Sequence, residues 1–186
     1  MHQQHELIQS IAEGNREAFQ QLYALFSDKV YNTALSYVQN EQDAEEITQD
    51  VFTNIFRSAD KFKGNATVST WVYRITVNTS LNQIKRKKRF SFLKFGESVQ
   101  DSPDFEHPGV LLENKENAKA LFTLIDTLVD SQKTAFILSF VEDLPRQEVA
   151  AVMNISLKAV ESLLQRGKKN LREKLEKMYP DRRKKK

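Results

Sequence analysis

The sequence predicts an all-α protein in which two small helical domains are joined by a flexible acidic linker. Gly and Pro together supply only nine of the 186 residues, less than half of the average usage of roughly 12%, which is too few for a turn-rich β fold. Apolar residues recur every three or four positions on both sides of a segment at 90–110 that loses this periodicity. The expected divisions are a first domain at 1–92, the linker at 93–112, a second domain at 113–179 and a basic tail at 180–186.

The first domain is expected to begin with three helices. The apolar spacing over Leu7–Val38 predicts a short helix and a longer one, separated at Gly14-Asn15. Asn40 and Asp43 are candidate N-caps for the third helix, which we expect over residues 44–58.

A loop and a fourth helix complete the first domain. Residues 60–68 are expected to form the loop. Ser69 or Thr70 then offers a cap for a helix that runs from Trp71 toward Arg89.

The second domain is expected to hold four helices. Residues 120–128 define one amphipathic helix, and Ala135–Val141 lies in another. Pro145 suits the first turn of the third helix. Ser156 is the candidate cap of the last helix, which reaches about Met178.

Charge alternates along the chain in four blocks. Residues 1–60 and 97–148 each carry a net charge of −7, whereas 61–96 and 149–186 carry +9 and +8. Two basic blocks that each end a helical segment favour two surfaces that meet phosphate. Solvated helix faces are the alternative interpretation of either block alone.

Composition excludes several classes of site. Cys is absent, which rules out disulfides, cysteine nucleophiles and thiolate metal sites. No apolar run approaches the roughly 18 residues of a membrane span, and no secretory signal pattern is visible, so we expect a cytoplasmic protein without membrane insertion. His2 and His5 have metal-ligand spacing on a helix, but they lie at a terminus expected to fray. We therefore expect no metal, no cofactor and no enzyme activity.

Residues 146–163 fit the pattern of a helix-turn-helix. Ala150 is small where the two helices would cross, and Asn154 lies where the turn needs a positive φ. The second helix would bury one side and expose amide, hydroxyl and ammonium groups on the other, which suits base edges and phosphates in a major groove. The exposed side comprises Lys158, Ser162, Gln165 and Lys169, and the alternative is a helical hairpin with a solvated face.

The helix after Trp71 carries a basic stripe. Its members lie within about 80° of one another on a helical wheel: Arg74, Asn78, Asn82, Lys85 and Arg89. Such a stripe would neutralise phosphates. The preceding loop, 62–67, combines small and polar residues beside Trp71, an arrangement that could hold unstacked bases, although a tryptophan is more often a core residue.

The third helix of the first domain carries an acidic face. Asp43, Glu46 and Asp50 are spaced i, i+3 and i+7, so we expect these carboxylates to share one exposed face. No histidine lies nearby, and the regular spacing favours a protein-docking face over a metal or acid/base cluster.

In combination these motifs resemble the extracytoplasmic-function sigma factors of bacterial RNA polymerase. The similar segments, in the family's order, are Ala18–Tyr23, Asp43–Phe52, Phe62–Ala66 with Thr70–Ile75 and Asn78, and Leu144–Leu175. The resemblance implies that the first domain is sigma region two, which binds the polymerase clamp and opens the minus-ten promoter element. The second would be region four, which reads the minus-thirty-five element as duplex and touches the polymerase flap.

The resemblance also implies roles for particular residues. The polymerase-binding set is Asp43, Glu46, Gln49, Asp50 and Phe52. The minus-ten DNA-binding set is Lys63, Asn65, Trp71, Arg74, Asn78, Asn82, Lys85 and Arg86. The minus-thirty-five DNA-binding set is Ser156, Lys158, Glu161, Ser162, Gln165, Arg166 and Lys169.

Three positions depart from the family's pattern. Glu161 and Leu163 stand where members often carry basic residues, and Asn82 replaces a frequent Asp. The implied partners are core RNA polymerase, promoter DNA and an anti-sigma protein. The alternative function is a stand-alone helix-turn-helix regulator, which would leave the acidic face and the loop beside Trp71 without a use.

Overall fold

The structure is a computed structural model, and it describes residues 2–93 and 115–178, with side chains for 4–90 and 120–178. Every regular element in these two ranges is a helix, which confirms the predicted all-α class. The helices are α1 (His2–Ala12), α2 (Arg16–Val38), α3 (Glu41–Ser58), α4 (Val68–Leu93), α5 (Lys115–Asp126), α6 (Asp130–Phe140), α7 (Arg146–Met153) and α8 (Leu157–Met178), with a 3₁₀ turn at Ala59–Lys61.

The described residues form two compact units, one in each range. The expected linker at 93–112 and the basic tail at 180–186 lie almost entirely outside the described residues. None of the helices in the described ranges is both long enough and apolar enough to cross a membrane.

The break between α1 and α2 occurs where the sequence predicts it. Gly14 has a φ of +86°, a conformation that costs glycine little. The side chain of Asn15 then caps α2 by accepting hydrogen bonds from the backbone N–H groups of Glu17 and Ala18, at 2.9 and 3.1 Å. This turn directs α1 back over α2 and onto the 3₁₀ turn.

Helices α2, α3 and α4 pack against one another around the core of the first unit. Asn40 caps α3 as predicted, because its Oδ1 accepts from the N–H of Asp43 at 2.9 Å. Helix α3 inserts Ile47, Val51 and Ile55, which are fully buried. Burial of each such side chain stabilises the fold by about 1.5–3 kcal/mol relative to exposure.

The second unit is built from α5 to α8. Helix α8 is the central element, since it contacts α5, α6 and α7. Phe122, Ile125, Ile137, Leu138 and Val160 are fully buried in this unit.

Three predicted helix starts are wrong by one to three residues. Helix α3 begins at Glu41 rather than at residue 44. Helix α4 begins at Val68, because Thr67 supplies the cap: its Oγ1 accepts from the N–H of Thr70 at 3.0 Å. Neither Ser69 nor Thr70 is the cap. Pro145 lies at the N-cap of α7, one position before the first helical turn in which we expected it.

Candidate nucleic-acid and protein interfaces

Helix α4 presents the predicted stripe on its outer side. Asn78, Asn82 and Lys85 are exposed, and Arg74 is half-buried. The opposite side of the helix is held in the core by Val72, Thr76 and Ser80. The hydroxyls of Thr76 and Ser80 donate to the carbonyls one turn earlier, at 2.9 and 2.8 Å, so these polar residues are satisfied within the helix.

The loop before α4 is shaped by aromatic contacts. The rings of Phe62 and Trp71 pack at a centroid distance of 5.0 Å, and the ring of His5 meets Phe62 edge-on at 5.1 Å. Trp71 is half-buried, with its ring partly available. Lys63 and Asn65, which follow Phe62 within the loop, are exposed, so the loop offers an ammonium and an amide to solvent.

The acidic side chains of α3 do not share one exposed face. Glu46 accepts from the guanidinium of Arg86 at 2.8 Å and from the amide of Gln83 at 3.0 Å. Asp43 is paired with Lys87, and its side chain is only 13% exposed. Both carboxylates therefore turn toward α4, and the expectation that Asp43, Glu46 and Asp50 form one solvent-exposed face is wrong.

The physical reason is the packing of α3 on α4. The basic run of α4 lies alongside the first half of α3, so opposite charges 40 and 44 residues apart in sequence become neighbours. The predicted minus-ten residue Arg86 is therefore already engaged by Glu46, whose side chain is itself half exposed.

Gln49 and Asp50 remain exposed on α3, and Gln49 lies on the same side of that helix as Phe56. Phe19 meets Phe56 at 5.6 Å, and Tyr23 meets Phe52 at 4.5 Å. Phe52 is 3% exposed, so its predicted direct contact with a partner is not available in this conformation.

Tyr23 and Phe56 are two aromatic residues of α2 and α3 that sequence reasoning missed as surface groups. They are 47% and 48% exposed, although their spacing fits the apolar stripe. We group them with the exposed residues Gln49 and Asp50 of α3 under the name α2–α3 face. The signal for this face was that Phe56 follows Gln49 by seven residues, which places both on one side of α3.

Tyr31 lies on α2 beside the start of α3. Burial raises the pKa of Tyr31 above its ordinary 10.0, and the carboxylates of Glu41 and Glu45 raise it further by disfavouring a second negative charge. The phenol is thus held in its neutral form next to the acidic end of α3.

The helix-turn-helix is formed by α7 and α8. Asn154 adopts φ 54° and ψ 44°, the left-handed conformation predicted for the turn. Ser156 caps α8 by accepting from the N–H of Ala159 at 3.2 Å. Val149, Val160 and Leu164 are buried between the helices. Met153, Ile155 and Leu163 are half-buried.

The outer side of α8 carries the predicted polar residues. All of them are exposed: Lys158, Glu161, Ser162, Gln165, Arg166 and Lys169. Ser156, at the cap, is exposed as well. Lys169 lies 3.9 Å from Glu173, a weak contact that leaves its ammonium largely in solvent.

A basic groove runs along this side of α8, lined by Gln165, Arg166, Lys168, Lys169 and Arg172. Lys168 and Arg172 were not among the predicted residues, although their helical positions adjoin the stripe. The ammonium of Lys168 lies 4.6 Å from the ring centroid of Phe140, a cation–π contact that fixes one edge of the groove.

Three contacts fix α8 on the rest of its unit. A Cβ built on Gly167 would lie 3.8 Å from the Cβ of Gln132, so α8 and α6 approach closely at this point. Asn170 donates to the amide oxygen of Gln132 at 3.0 Å, and Lys174 donates to the carbonyl of Thr127 at 3.1 Å. The exposed face of α8 is thereby given a fixed orientation within the unit.

No group of three or more His or acidic side chains in the described ranges is arranged to hold a metal ion. His5, one of the two histidines considered for metal binding, instead packs on Phe62. The side chain of His2 lies outside the described residues.

Two family models match the chain. The model for sigma-70 region 2 matches residues 22–90, which include α3, the loop and nearly all of α4. The model for sigma-70 region 4 matches residues 118–171, which include the helix-turn-helix. Together they cover about two thirds of the chain.

The chain is similar to curated sigma factors, and a solved sigma factor has a similar fold. The ECF RNA polymerase sigma factor SigW of Bacillus subtilis is 27% identical over 176 residues, covering 90% of this chain and 94% of the relative. The ECF RNA polymerase sigma-E factor of Escherichia coli is 27% identical over 179 residues, covering 91% and 93%. The sigma factor RpoE of Bartonella quintana, solved with the anti-sigma factor NepR, has a similar fold: the TM-score is 0.68 at 19% identity, covering 85% of this chain and 96% of that one.

Proposed function

Because the chain belongs to the sigma-70 family and is an extracytoplasmic-function sigma factor that directs core RNA polymerase to promoters, we propose that separate faces of its two units contact polymerase, the minus-ten element and the minus-thirty-five element. The observation that carries this division is that each unit has its own exposed polar or basic helix face, while the first unit adds the α2–α3 face. A stand-alone regulator would need only the second unit.

The minus-ten element is assigned to the loop and the outer side of α4. Lys63 and Asn65 are exposed in the loop that leads to the half-buried Trp71, and an aromatic ring accompanied by polar groups suits an unstacked base. Asn78 and Asn82 extend the same side of the unit with amide groups. Lys85 and Arg74 supply charge for the phosphates.

Arg86 contributes to this DNA surface indirectly. Its guanidinium is held by Glu46, so contact with a phosphate would require it to exchange or share that partner. We assign Arg86 to phosphate attraction, because its exposed charge still adds to the field around α4.

The minus-thirty-five element is assigned to the outer side of α8. A helix of this kind enters the major groove with its first residues at the base edges, which places Lys158, Ser162 and Gln165 nearest the bases. Glu161 would accept from a cytosine amine. Arg166 and Lys169, joined by the cap residue Ser156, would contact phosphates.

Core polymerase is assigned to the α2–α3 face. Gln49 and Asp50 are exposed on α3, which also carries the half-exposed ring of Phe56, and exposed aromatic rings accompanied by polar groups are typical of a protein interface. Glu46 also belongs to the polymerase-binding set, because it lies on α3 and half of its side chain is exposed. Asp43 and Phe52 act behind the surface, by holding α4 and the aromatic rings in place.

Further properties follow from the family. We assign the protein to the cytoplasm, where core polymerase works, and to transcription initiation without catalysis or a cofactor of its own. An anti-sigma protein is proposed as a regulator, because the similarly folded RpoE of Bartonella quintana was solved in complex with one.

The division between the units is tested by separating DNA binding from strand opening. The full chain is mixed with core polymerase and a promoter fragment, and the variants are Trp71→Ala and Gln165→Ala. Trp71→Ala should lower the permanganate reactivity of minus-ten thymines while upstream protection persists. Gln165→Ala should lower the protection of the minus-thirty-five duplex, because Gln165 is assigned to its bases. Lys177→Ala, exposed in the last turn of α8, is the control. Equal thymine reactivity in Trp71→Ala and the parent would contradict the assignment of the loop.

A further inference from the structure

The loop at 62–66 is braced by a side chain from a different helix. His5 projects from α1, which is anchored in the core by Ile8 and Ile11, each 1% exposed. Its imidazole meets the ring of Phe62 at a centroid distance of 5.1 Å and an interplanar angle of 63°. The contact therefore joins a fixed helix to the first residue of the loop.

The backbone of the loop also lies directly against His5. Gly64 has a φ of +70°, and a Cβ built on it would approach His5 Cε1 at 3.1 Å and Nδ1 at 3.3 Å. Any other residue at position 64 would thus be disfavoured both by its backbone conformation and by the imidazole. The imidazole thus lies against the backbone of the loop at Gly64.

The contact continues toward α4. The ring of Phe62 lies 5.0 Å from the ring of Trp71, at an angle of 43°. His5, Phe62 and Trp71 therefore form a continuous row of rings, and the exposed side chains of Lys63 and Asn65 follow directly after Phe62 in the chain. A substitution of His5 would therefore alter the conformation of the residues assigned to the minus-ten element.

We propose that His5 is a positioning residue for promoter opening, which holds the loop in the shape that receives the unpaired strand. The proposal rests on the assignment of loop 62–66 and Trp71 to minus-ten DNA. Without the imidazole the loop would sample other conformations, and the strand would have to select the competent one, which reduces apparent affinity by the fraction populated.

The test uses the full chain with core polymerase and compares four variants: His5→Ala, His5→Phe, Asn65→Ala and the control Glu6→Ala. Glu6 is the exposed neighbour of His5 on α1. Strand opening is measured by permanganate reactivity, polymerase binding by co-purification, and folding by thermal melting.

His5→Ala should lower strand opening by about threefold to tenfold, the equivalent of one aromatic pair, with polymerase binding unchanged. His5→Phe should restore most of the opening, because a ring is again present against Phe62. Glu6→Ala should match the parent.

Four other results would overturn the proposal. If Asn65→Ala impairs opening and His5→Ala does not, the loop works without its brace. If neither variant impairs opening, the assignment of the loop is itself wrong. If His5→Ala lowers opening and polymerase binding in equal measure together with the melting temperature, or if His5→Phe fails to recover opening, His5 has only a general structural role.

Discussion

At the residue scale, the pairs between α3 and α4 determine which carboxylates are available to a partner. Asp43 is held by Lys87 and mostly covered, whereas Asp50 is exposed. Two acidic residues that look equivalent in sequence should therefore respond to substitution in different ways.

The comparison of Asp43 and Asp50 tests this difference. Asp43→Lys should destabilise the first unit by about 0.5–1 kcal/mol, the usual range of a salt bridge that is partly in solvent, and Asp43→Lys with Lys87→Asp should recover the loss in a urea unfolding curve. Asp50→Lys should leave the curve unchanged and weaken co-purification with core polymerase. Full polymerase binding by Asp50→Lys would count against the α2–α3 face.

Ionisation of a single residue, Tyr31, should make the free energy of unfolding depend on pH in the alkaline range. Burial, then Glu41 and Glu45, raise the pKa of Tyr31 in the folded protein above 10.0. As pH rises past about 10, the unfolded chain loses the phenol proton first, so the free energy of unfolding falls. Below that pH the phenol is neutral in both states and contributes no pH dependence.

Tyr31→Phe should remove this part of the alkaline loss of stability. Urea unfolding of the parent and of Tyr31→Phe, at about pH 9 and about pH 11, measures this loss of stability. Ionisation of the lysines contributes equally to the two proteins. The parent should lose more stability between the two values than Tyr31→Phe does. Parallel losses would show that Tyr31 ionises equally easily in the folded and unfolded chains.

At the scale of elements, the turn between α7 and α8 sets the angle at which α8 is presented. Asn154 has a φ of 54°, a conformation that costs most side chains roughly 1–2 kcal/mol. Asn154→Ala should therefore destabilise the second unit by about 1 kcal/mol, whereas Asn154→Gly should melt close to the parent. Thermal melting and binding to minus-thirty-five duplex report both effects, and an Ala variant as stable as the Gly variant would be inconsistent with the turn.

Different residues of the basic groove on α8 should contribute to phosphate attraction and to base recognition. Lys169→Ala and Arg172→Ala should each reduce the slope of log binding constant against log salt by about 0.9, the value for one lost phosphate contact on duplex DNA. Gln165→Ala should keep the slope and reduce the preference for specific over random duplex by about 1–3 kcal/mol. A fluorescence anisotropy titration at several salt concentrations measures both quantities. If Gln165→Ala alone changed the slope, the two roles would be reversed.

At the scale of the whole molecule, the order and number of the helices in residues 2–93 and 115–178 could be predicted because each depends on local signals. The Gly14-Asn15 break, the Asn40 cap and the Asn154 turn depend on residues within four positions of one another. The two-domain, all-helical class followed from the same signals.

What could not be predicted depends on how helices face each other. The pairing of Glu46 with Arg86 joins residues 40 positions apart, and it requires the relative rotation of α3 and α4. The burial of Phe52 and the exposure of Phe56 likewise depend on where α2 crosses α3. The brace from His5 to Gly64 depends on the path of α1.

The central claim is that this one chain gives core RNA polymerase the ability to start at chosen promoters. Run-off transcription from genomic fragments, with core polymerase in the presence and absence of the full chain, measures this directly. Discrete transcripts should form only when the chain is added, and they should be lost with Trp71→Ala and Gln165→Ala combined. The same transcripts with core polymerase alone, or none with the chain present, would contradict the claim.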